Sequence, residues 1–461
     1  MKSWHFTGIC GIGMSALAQF ALAMQIKVSG SDRALDNPEN ASLKAMLQAQ
    51  GVKLFAQDGS RFAPNESSVD AVIYSTAIEE SNPDFANSQG VERIHRATAL
   101  KMLIQERCAS GKLSIAVAGS CGKTSTTAII AEALCNSNIA AECVNGGMIN
   151  AFANDIYPGN YHAGSGAIVF EADESDKSLL EFHPDYALVL NIGTDHYPKD
   201  ELAEMFACFV NQAKKGAVLH CDVFELIKHR IKDSLTISTF GFEENADLQV
   251  IEYQCCDGVS RANFNNGLQV LPGPGRHTAL NVAAAAALLE MIAIDRQSAL
   301  QAALNTHGVA RRFDFKGYTP NGAAVYDDYA HNPEKIANIL IAAQELTGNS
   351  GRVWVMFQPH GYGPFGFMQQ ELGKNLHGIL RKDDHFYLSE PYYAGGTSSF
   401  SPSASDVLAQ WQSIYADLPV ELTGSRESLS AILRKKARRG DVILIMGARD
   451  NTLALFASSL V

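Results

Sequence analysis

The sequence predicts an α/β fold of mostly parallel sheets flanked by helices, and three observations predict it. Short β-rich runs alternate with longer helical stretches in three successive blocks. Two of the runs, Ala167 to Phe170 and Tyr186 to Ile192, are almost continuously apolar, as strands covered on both faces are. Two strands lead directly into glycine turns that open a helix.

The first block opens with Trp4-His5-Phe6-Thr7, turns at Gly8 to Gly13, and continues as a helix through Ala16, Leu17, Phe20 and Leu22. Strands at Lys27-Val28-Ser29 and Val69 to Tyr74 follow, then a helix carrying Met102, Leu103 and Ile104. Ala109-Ser110-Gly111 makes a boundary, and Leu113 to Ala118 starts a second block. Between Leu235 and Leu271 short alternating pieces with Asn and Gly turns predict a small antiparallel excursion. Ala279 to Ile294, interrupted by Asn281 and Glu290, falls short of the ~20 apolar residues of a membrane span and is expected as a buried helix. The third block begins after Arg311-Arg312-Phe313, with strands at Val325, Val353 to Phe357, His385 to Leu388 and Val442 to Met446. The expected domains are 1–108, 109–313 and 314–461.

The chain has 461 residues, 46% of them hydrophobic, so it can bury several cores and is not a disordered chain. With 37 Lys+Arg against 49 Asp+Glu the formal charge is −12, which argues against a general binder of nucleic acid or anionic membrane. The start of the chain lacks the apolar core of a secretory signal. Nine cysteines include no C-x-x-C pair, so neither a zinc site nor a disulfide framework is spelled out, and a reducing cytoplasm is expected.

The two glycine turns suggest different chemistry. Gly11, Gly13 and Ala16 fit G-x-G-x-x-[GA], which lets backbone N–H groups approach a diphosphate at a helix N-terminus, and Asp32 follows where an acid can meet a ribose or sugar hydroxyl. The alternative is a tight connection and nothing more. The second turn, Gly119-Ser120-Cys121-Gly122-Lys123-Thr124, lets amides wrap phosphates, sends the Lys123 ammonium to the β/γ oxygens and offers the Thr124 hydroxyl to Mg²⁺. Val117 stands where the longer phosphate-loop pattern has glycine, so this is a shortened variant. A dehydrogenase would use the first turn and leave the second idle. An ATP-driven enzyme acting on a nucleotide-linked substrate uses both.

Two acidic segments, Glu171-Ala172-Asp173-Glu174-Ser175-Asp176 and Gly193-Thr194-Asp195-His196, follow strands and should emerge at the carboxyl edge that carries the phosphate loop. Glu171 and Thr124 suit one Mg²⁺, and His196 could help hold a second ion or accept a proton. Asp173, Glu174 and Asp176 read equally well as solvated helix caps. His162, His220, His229 and His307 lie in surroundings that suggest surface or structural residues.

These residues, taken together, resemble the Mur ligases of peptidoglycan synthesis. Gly8 to Ser15, Gly30-Ser31-Asp32, the Gly-Lys-Thr loop, Glu171 to Asp176, Asn191-Ile192 with Asp195-His196, Gly275-Arg276-His277 with Asn281, Arg311-Arg312-Phe313, Asp327-Asp328-Tyr329 and Gln358-Pro359-His360 occur in that family's order over nearly the whole chain. The G-I-G-M-S turn is most similar to the branch that joins L-alanine to UDP-N-acetylmuramate.

The resemblance implies a Rossmann-like N-terminal domain for the uridine diphosphate, a central P-loop ATPase-type domain and a Rossmann-like C-terminal domain for the incoming amino acid. It implies that ATP phosphorylates the lactyl carboxylate of UDP-N-acetylmuramate, that an amine attacks the acyl phosphate, and that ADP and phosphate leave. By similarity Lys123, Glu171 and His196 would be catalytic, with Thr124, Glu171 and His196 holding metal. Gly119, Ser120, Gly122, Lys123, Thr124, Ser125, Asn281, Arg312 and Asp328 would bind ATP. Gly11, Gly13, Met14, Ser15, Asp32 and Arg96 would bind the sugar nucleotide, and Tyr329, His331 and His360 would line the acceptor pocket. The expected partners are UDP-N-acetylmuramate and a small amino acid or peptide, without nucleic acid or membrane insertion, in a monomer or homodimer. Domain closure on ATP is expected because the nucleotide contacts come from different blocks.

Three departures stand out, and the last two bear on the acceptor. The phosphate loop of this branch reads Gly-Thr-His-Gly-Lys-Thr-Thr, whereas here Cys121 replaces the His, introducing a thiol open to oxidation. Gln358-Pro359-His360-Gly361-Tyr362-Gly363-Pro364-Phe365 stands where the alanine-adding enzymes resemble Q-P-H-R-Y-T-R-T, so Gly361 and Pro364 replace both arginines that clamp a carboxylate. Asp328-Tyr329-Ala330-His331-Asn332-Pro333 also leans toward other Mur ligases. A ligase for a recycled murein tripeptide and a non-catalytic nucleotide-binding relative are the alternatives.

Overall fold

The computed structural model describes residues 2–175, 177–193, 198–393 and 400–461, and the chain divides into two compact units. The first comprises Met1–Ile251, Phe264–Gly267 and Leu280–Val309, and the second Glu252–Asn263, Leu268–Ala279 and Ala310–Val461.

The first unit carries two sheets. One consists of β1 (Ser3–Thr7), β2 (Lys27–Asp32), β3 (Lys53–Ala56), β4 (Ala71–Tyr74) and β5 (Glu92–His95), all parallel, in the order β3-β2-β1-β4-β5. The chain leaves β1 to one side and later crosses to the other, so the turn after β1 lies where the strand order reverses, the place where open α/β sheets bind ligands. Gly30 in β2 is needed for close approach, since a Cβ there would lie 2.3 Å from Ile9 Cδ1.

The other sheet consists of β6 (Ser114–Ala118), β7 (Glu142–Val144), β8 (Tyr161–His162), β9 (Ile168–Glu171), β10 (Tyr186–Val189), β11 (Gly216–His220), β12 (Thr236–Gly241) and β13 (Leu248–Gln249). Its order is β13-β12-β11-β10-β6-β9-β7-β8, and only the short edge strand β8 runs antiparallel to its neighbour. β6 sits centrally between β10 and β9, again at a reversal of strand order. Here the expectation for 235–271 is corrected. β12 and β13 extend the parallel sheet, and only β14 (Glu252–Cys256), β15 (Val259–Asn263) and β16 (Leu268–Val270) form the antiparallel excursion. The short β12 run Thr-Ile-Ser-Thr-Phe-Gly mixes polar and apolar residues because it approaches the sheet edge, which imitates the alternation of a half-exposed hairpin.

The second unit's main sheet has β17 (Asp314–Tyr318), β18 (Ala324–Asp328), β19 (Val353–Phe357), β20 (His385–Leu388), β21 (Val420–Leu422) and β22 (Val442–Met446), in the order β17-β18-β22-β19-β20-β21. All pairs are parallel except β17 with β18. Helices cover both faces. Val353, Val355 and Phe357 enter one core with Leu444, while Trp354 and Met356 enter the other with Ile443 and Ile445. The uninterrupted apolar runs of β19 and β22 follow from this two-sided burial.

The helix Arg276–Met291 contains the apolar stretch beginning at Ala279, and Val282 to Leu289 are at most 1% exposed. Among the described residues no helix is long and apolar enough to cross a membrane. β3, β5, β7, β8, β11, β17 and β21 have no counterpart among the strands expected from sequence. They are short, and several carry charges that hide the apolar signal.

One such charge is Glu142 in β7, fully buried in the first unit. Its carboxylate accepts from Arg107 Nη2 (3.0 Å), Lys112 Nζ (2.7 Å) and the Tyr161 hydroxyl (2.7 Å), tying the helix Arg96–Ala109 to β7 and β8. Removing a carboxylate that neutralises two largely buried cations leaves both uncompensated. Glu142→Ala should therefore destabilise the first unit by about 3–5 kcal/mol, read as a lowered denaturant midpoint, and an unchanged midpoint would show that the cluster contributes nothing.

Candidate active site

The phosphate-loop residues lie at the carboxyl end of β6. Gly122 precedes the helix Lys123–Asn136 with φ of +88°, a left-handed conformation that suits glycine. Asn191, just beyond β10, clasps the loop: its Oδ1 accepts from the Cys121 N–H (2.8 Å) and its Nδ2 donates to the Cys121 carbonyl (2.9 Å). The Ser120 hydroxyl accepts from the Gly193 N–H (2.8 Å). These bonds tie the loop to the segment after β10, and the first-turn amides of the helix have no intrahelical acceptor. Ser125 is half-buried in the first helical turn. Asn281 stands beside the loop, since a Cβ on Gly122 would lie 3.2 Å from its Oδ1.

Lys123 donates to the Gly119 carbonyl (2.7 Å) and to Glu174 Oε2 (2.6 Å), with Asp173 Oδ1 at 3.9 Å. Burial opposes its charge, but the carboxylates of Glu174, Asp173 and Glu171 outweigh burial and hold the ammonium above its ordinary pKa. Burial raises the Asp173 carboxyl, yet Lys123, the bonds from Ser175 and the charge of Arg96 bring it below the usual carboxylate range. Thr124 donates its hydroxyl to Glu171 Oε2 (3.1 Å), and the Gly146 N–H donates to Glu171 Oε1. The tips of β6 and β9 thus bring Lys123, Thr124 and Glu171 together.

Glu174 is 3% exposed and is the direct carboxylate partner of Lys123, not a solvated helix cap. Sequence spacing does not distinguish it from Asp173, which faces the same ammonium from farther away. Asp176 and the segment 194–197, which includes Asp195 and His196, lie outside the described residues.

The first glycine turn lies at the carboxyl end of β1. Asp32 is engaged in shaping that turn: its carboxylate accepts from the N–H groups of Cys10 (2.9 Å) and Ala34 (2.8 Å). Met14 is 4% exposed, and Ser15 is fully buried, its hydroxyl donating to the carbonyls of Gly11 and Ile12. Gly11 caps the helix Ile12–Ala23, whose first-turn amides are the groups left for a ligand. Arg96 lies against the same turn, with its Nη1 3.2 Å from where a Gly13 Cβ would stand, and its Nη2 is 3.6 Å from Asp173 Oδ2. A chain of alternating charge therefore runs from Arg96 through Asp173 to Lys123 and Glu174.

In the second unit Asp328 ends β18, buried, and accepts from the N–H groups of Phe313 (2.6 Å) and Ala330 (2.6 Å). Burial raises its carboxyl pKa against the opposing charge of Arg312. Arg311 and Phe313 take left-handed φ values of +61° and +47°. The guanidiniums of Arg311 and Arg312 each lie 5.2 Å from the Tyr329 ring centroid. His331 Nδ1 bonds the Tyr329 carbonyl (3.0 Å), which requires the proton on that nitrogen and leaves Nε2 as an acceptor. Burial pushes the His331 pKa down to about 4. The His331 and His360 rings meet edge to face at 5.1 Å.

His307, one of the histidines expected to be structural, pairs with buried Glu132 (2.9 Å), and His220 caps the helix Cys221–Ile227 by accepting from the Asp222 N–H (3.2 Å). None of the nine cysteines, Cys121 included, is in a disulfide.

Three family profiles match the chain in succession: the Mur ligase family catalytic domain over residues 3–107, the Mur ligase middle domain over 117–289, and the Mur ligase glutamate ligase domain over 311–449. A UDP-N-acetylmuramate–L-alanine ligase of Xanthobacter autotrophicus is 31% identical, covering 97% of this chain and 94% of its own. One from Thermobifida fusca is 31% identical over 97% and 94%. Among solved structures, the UDP-N-acetylmuramate-alanine ligase of Thermotoga maritima superposes with a TM-score of 0.78 at 25% identity, covering 100% of this chain and 98% of that one. A murein peptide ligase from Psychrobacter arcticus shares the fold, with a TM-score of 0.68 at 20% identity over 100% and 98%. With three consecutive domain matches and relatives alike from end to end, the chain belongs to the Mur ligase family.

Proposed function

We propose that this protein joins L-alanine to the lactyl carboxylate of UDP-N-acetylmuramate in an ATP-dependent, ADP-forming reaction of peptidoglycan synthesis. The observation that carries the reading is the end-to-end likeness to ligases of that name, in a chain whose Gly-Lys-Thr loop pairs Lys123 with Glu174 and Thr124 with Glu171. We assign the sugar nucleotide to residues 1–108, ATP to 109–313 and the amino acid to 314–461.

The chemistry follows from the charges. A carboxylate is a poor acylating agent and repels a triphosphate, so phosphoryl transfer needs cations and amides around the transferred group. Lys123 supplies the central cation. Glu174 now takes its ammonium, and a γ-phosphate would compete for the same donor. Asn281 stands beside the loop and is assigned to the base; Arg312, with Asp328 holding the turn at Phe313 and Ala330, is also assigned to ATP.

Thr124 and Glu171 are both oxygen donors, which fits Mg²⁺, and they would hold one ion beside the nucleotide, where it would screen phosphate charge, while His196 is assigned to a second ion near the acceptor group. Gly11 and Gly13 would offer main-chain amides to the diphosphate, with Asp32 shaping the turn, Met14 and Ser15 packing beneath it, and Arg96 alongside. Neutral His331 would accept a hydrogen bond from the incoming amine through Nε2, beside Tyr329 and His360. The nucleotide substrates and free thiols suit a reducing cytoplasm.

Two measurements test this reading. Phosphate release is followed with UDP-N-acetylmuramate, ATP and Mg²⁺ while the amine is varied; L-alanine should give the highest kcat/KM. Turnover with a murein tripeptide and none with alanine would move the chain to the tripeptide branch, which the glycine and proline at 361 and 364 would then explain. Lys123→Ala should lower kcat/KM by about 100-fold or more. Because Glu174 loses its partner in that variant, the assay belongs well below its melting temperature, and near-wild-type turnover of the folded variant would reject the phosphate assignment.

A further inference from the structure

We propose that Arg449 holds the carboxylate of the incoming amino acid, taking the place of the two arginines missing at Gly361 and Pro364. The inference deepens the proposed function and rests on it, because only an amino acid or peptide acceptor brings a carboxylate that must be bound while its amine stays free to react.

The order of the second unit's sheet sets the geometry. β22 lies between β18 and β19, so the segments following these three strands emerge side by side at the carboxyl edge. The Gly447 N–H donates to the Asp328 carbonyl (3.1 Å), and the Gln358 N–H donates to the Met446 carbonyl (2.9 Å). Gly447 is wedged there, since a Cβ would lie 2.8 Å from the Gln358 carbonyl oxygen. The turn carrying Arg449 is thus stitched to the segments bearing His331 and His360, whose rings touch.

The other arginines of this edge are committed. Arg311 pairs with Asp327 (3.3 Å) and donates to the carbonyls of Gly447 and Ala448. Arg426 is bound by Asp450 (2.5 Å), Thr452 (2.7 Å) and Gln358 (3.4 Å). Arg312 stacks over Tyr329. Arg449 is exposed and, among the described residues, makes no hydrogen bond or ion pair. Its neighbour Asp450 is buried, 7% exposed, and spent on Arg426 and Thr452, so it does not neutralise Arg449. His360, lowered in pKa first by burial, also feels the positive charge of Arg449, which places the guanidinium's field at the acceptor-side histidines.

A guanidinium can bind a carboxylate through two parallel N–H bonds. Glycine and proline side chains at 361 and 364 can make none. The segment after β22 therefore supplies the cation that the segment after β19 lacks, and His331 Nε2 remains free to accept from the amine end of the same molecule.

The test uses the full-length enzyme, saturating ATP and UDP-N-acetylmuramate, and two acceptors, L-alanine and L-alaninamide, which differ in the carboxylate charge. In the wild type alanine should be strongly preferred. Arg449→Ala should raise the KM for alanine at least about tenfold, leave the KM values for ATP and UDP-N-acetylmuramate unchanged, and erase most of the preference over the amide. Arg449→Lys should restore part of it, which a merely structural arginine would not predict. A folded Arg449→Ala enzyme with wild-type alanine KM, or with the acid-to-amide preference intact, would overturn the inference while leaving the proposed function standing. Wild-type turnover with no free amino acid or peptide would sink the proposed function, and this inference with it.

Discussion

The run of alternating charge from Arg96 through Asp173 to Lys123 and Glu174 constrains the whole first unit. A lysine ammonium with little solvent around it stays charged only if carboxylates face it, and carboxylates so placed keep their charge only if cations face them. The arrangement needs the helix Arg96–Ala109, the segment after β9 and the loop after β6 to meet at one place. Parallel strands bring together the segments after β6 and β9, because both end on the same side of one sheet, while Arg96 reaches them from the end of β5 in the other sheet. The cluster and the sheet topology therefore depend on each other.

The same logic operates with different groups in the second unit. There the carboxyl edge is held by buried aspartates: Asp328 organises the turns at Phe313 and Ala330, Asp450 gathers Arg426 and Thr452, and Asp327 faces Arg311. Each of these acids is committed to main-chain amides, to an arginine or to both, and Arg449 makes no hydrogen bond or ion pair among the described residues. Burial of Asp327 in this setting pushes its carboxyl up to about 6, as expected where desolvation exceeds what one arginine returns. A site that must hold both ends of a small zwitterion is built from what the scaffold has not already used.

Legibility in the sequence tracked how local each signal is. The Gly-Lys-Thr loop, the first glycine turn and strands such as Val353–Phe357 and Val442–Met446 are visible because their patterns lie within a few consecutive residues. Glu142 reads as a surface acid until Arg107, Lys112 and Tyr161 surround it. Asp32 has the residue type and position of a hydroxyl ligand, yet its oxygens accept from Cys10 and Ala34. Glu174 looks like a helix cap until it meets Lys123 from 51 residues away. For Glu142 and Glu174 the deciding partners are distant in sequence, and spacing cannot reveal them.

The sequence by itself determined the class of fold, the strand–turn–helix at Gly-Lys-Thr and the family, because apolar periodicity and glycine placement are dictated by backbone geometry over short spans. Only the tertiary structure decided which acid neutralises Lys123, which strands extend the central sheet beyond Leu235, and that Arg449 at the second unit's edge makes no hydrogen bond or ion pair among the described residues. Those outcomes depend on which strands lie side by side and on how much water each charge loses, and both are set by long-range pairing and not by any residue's near neighbours in the chain.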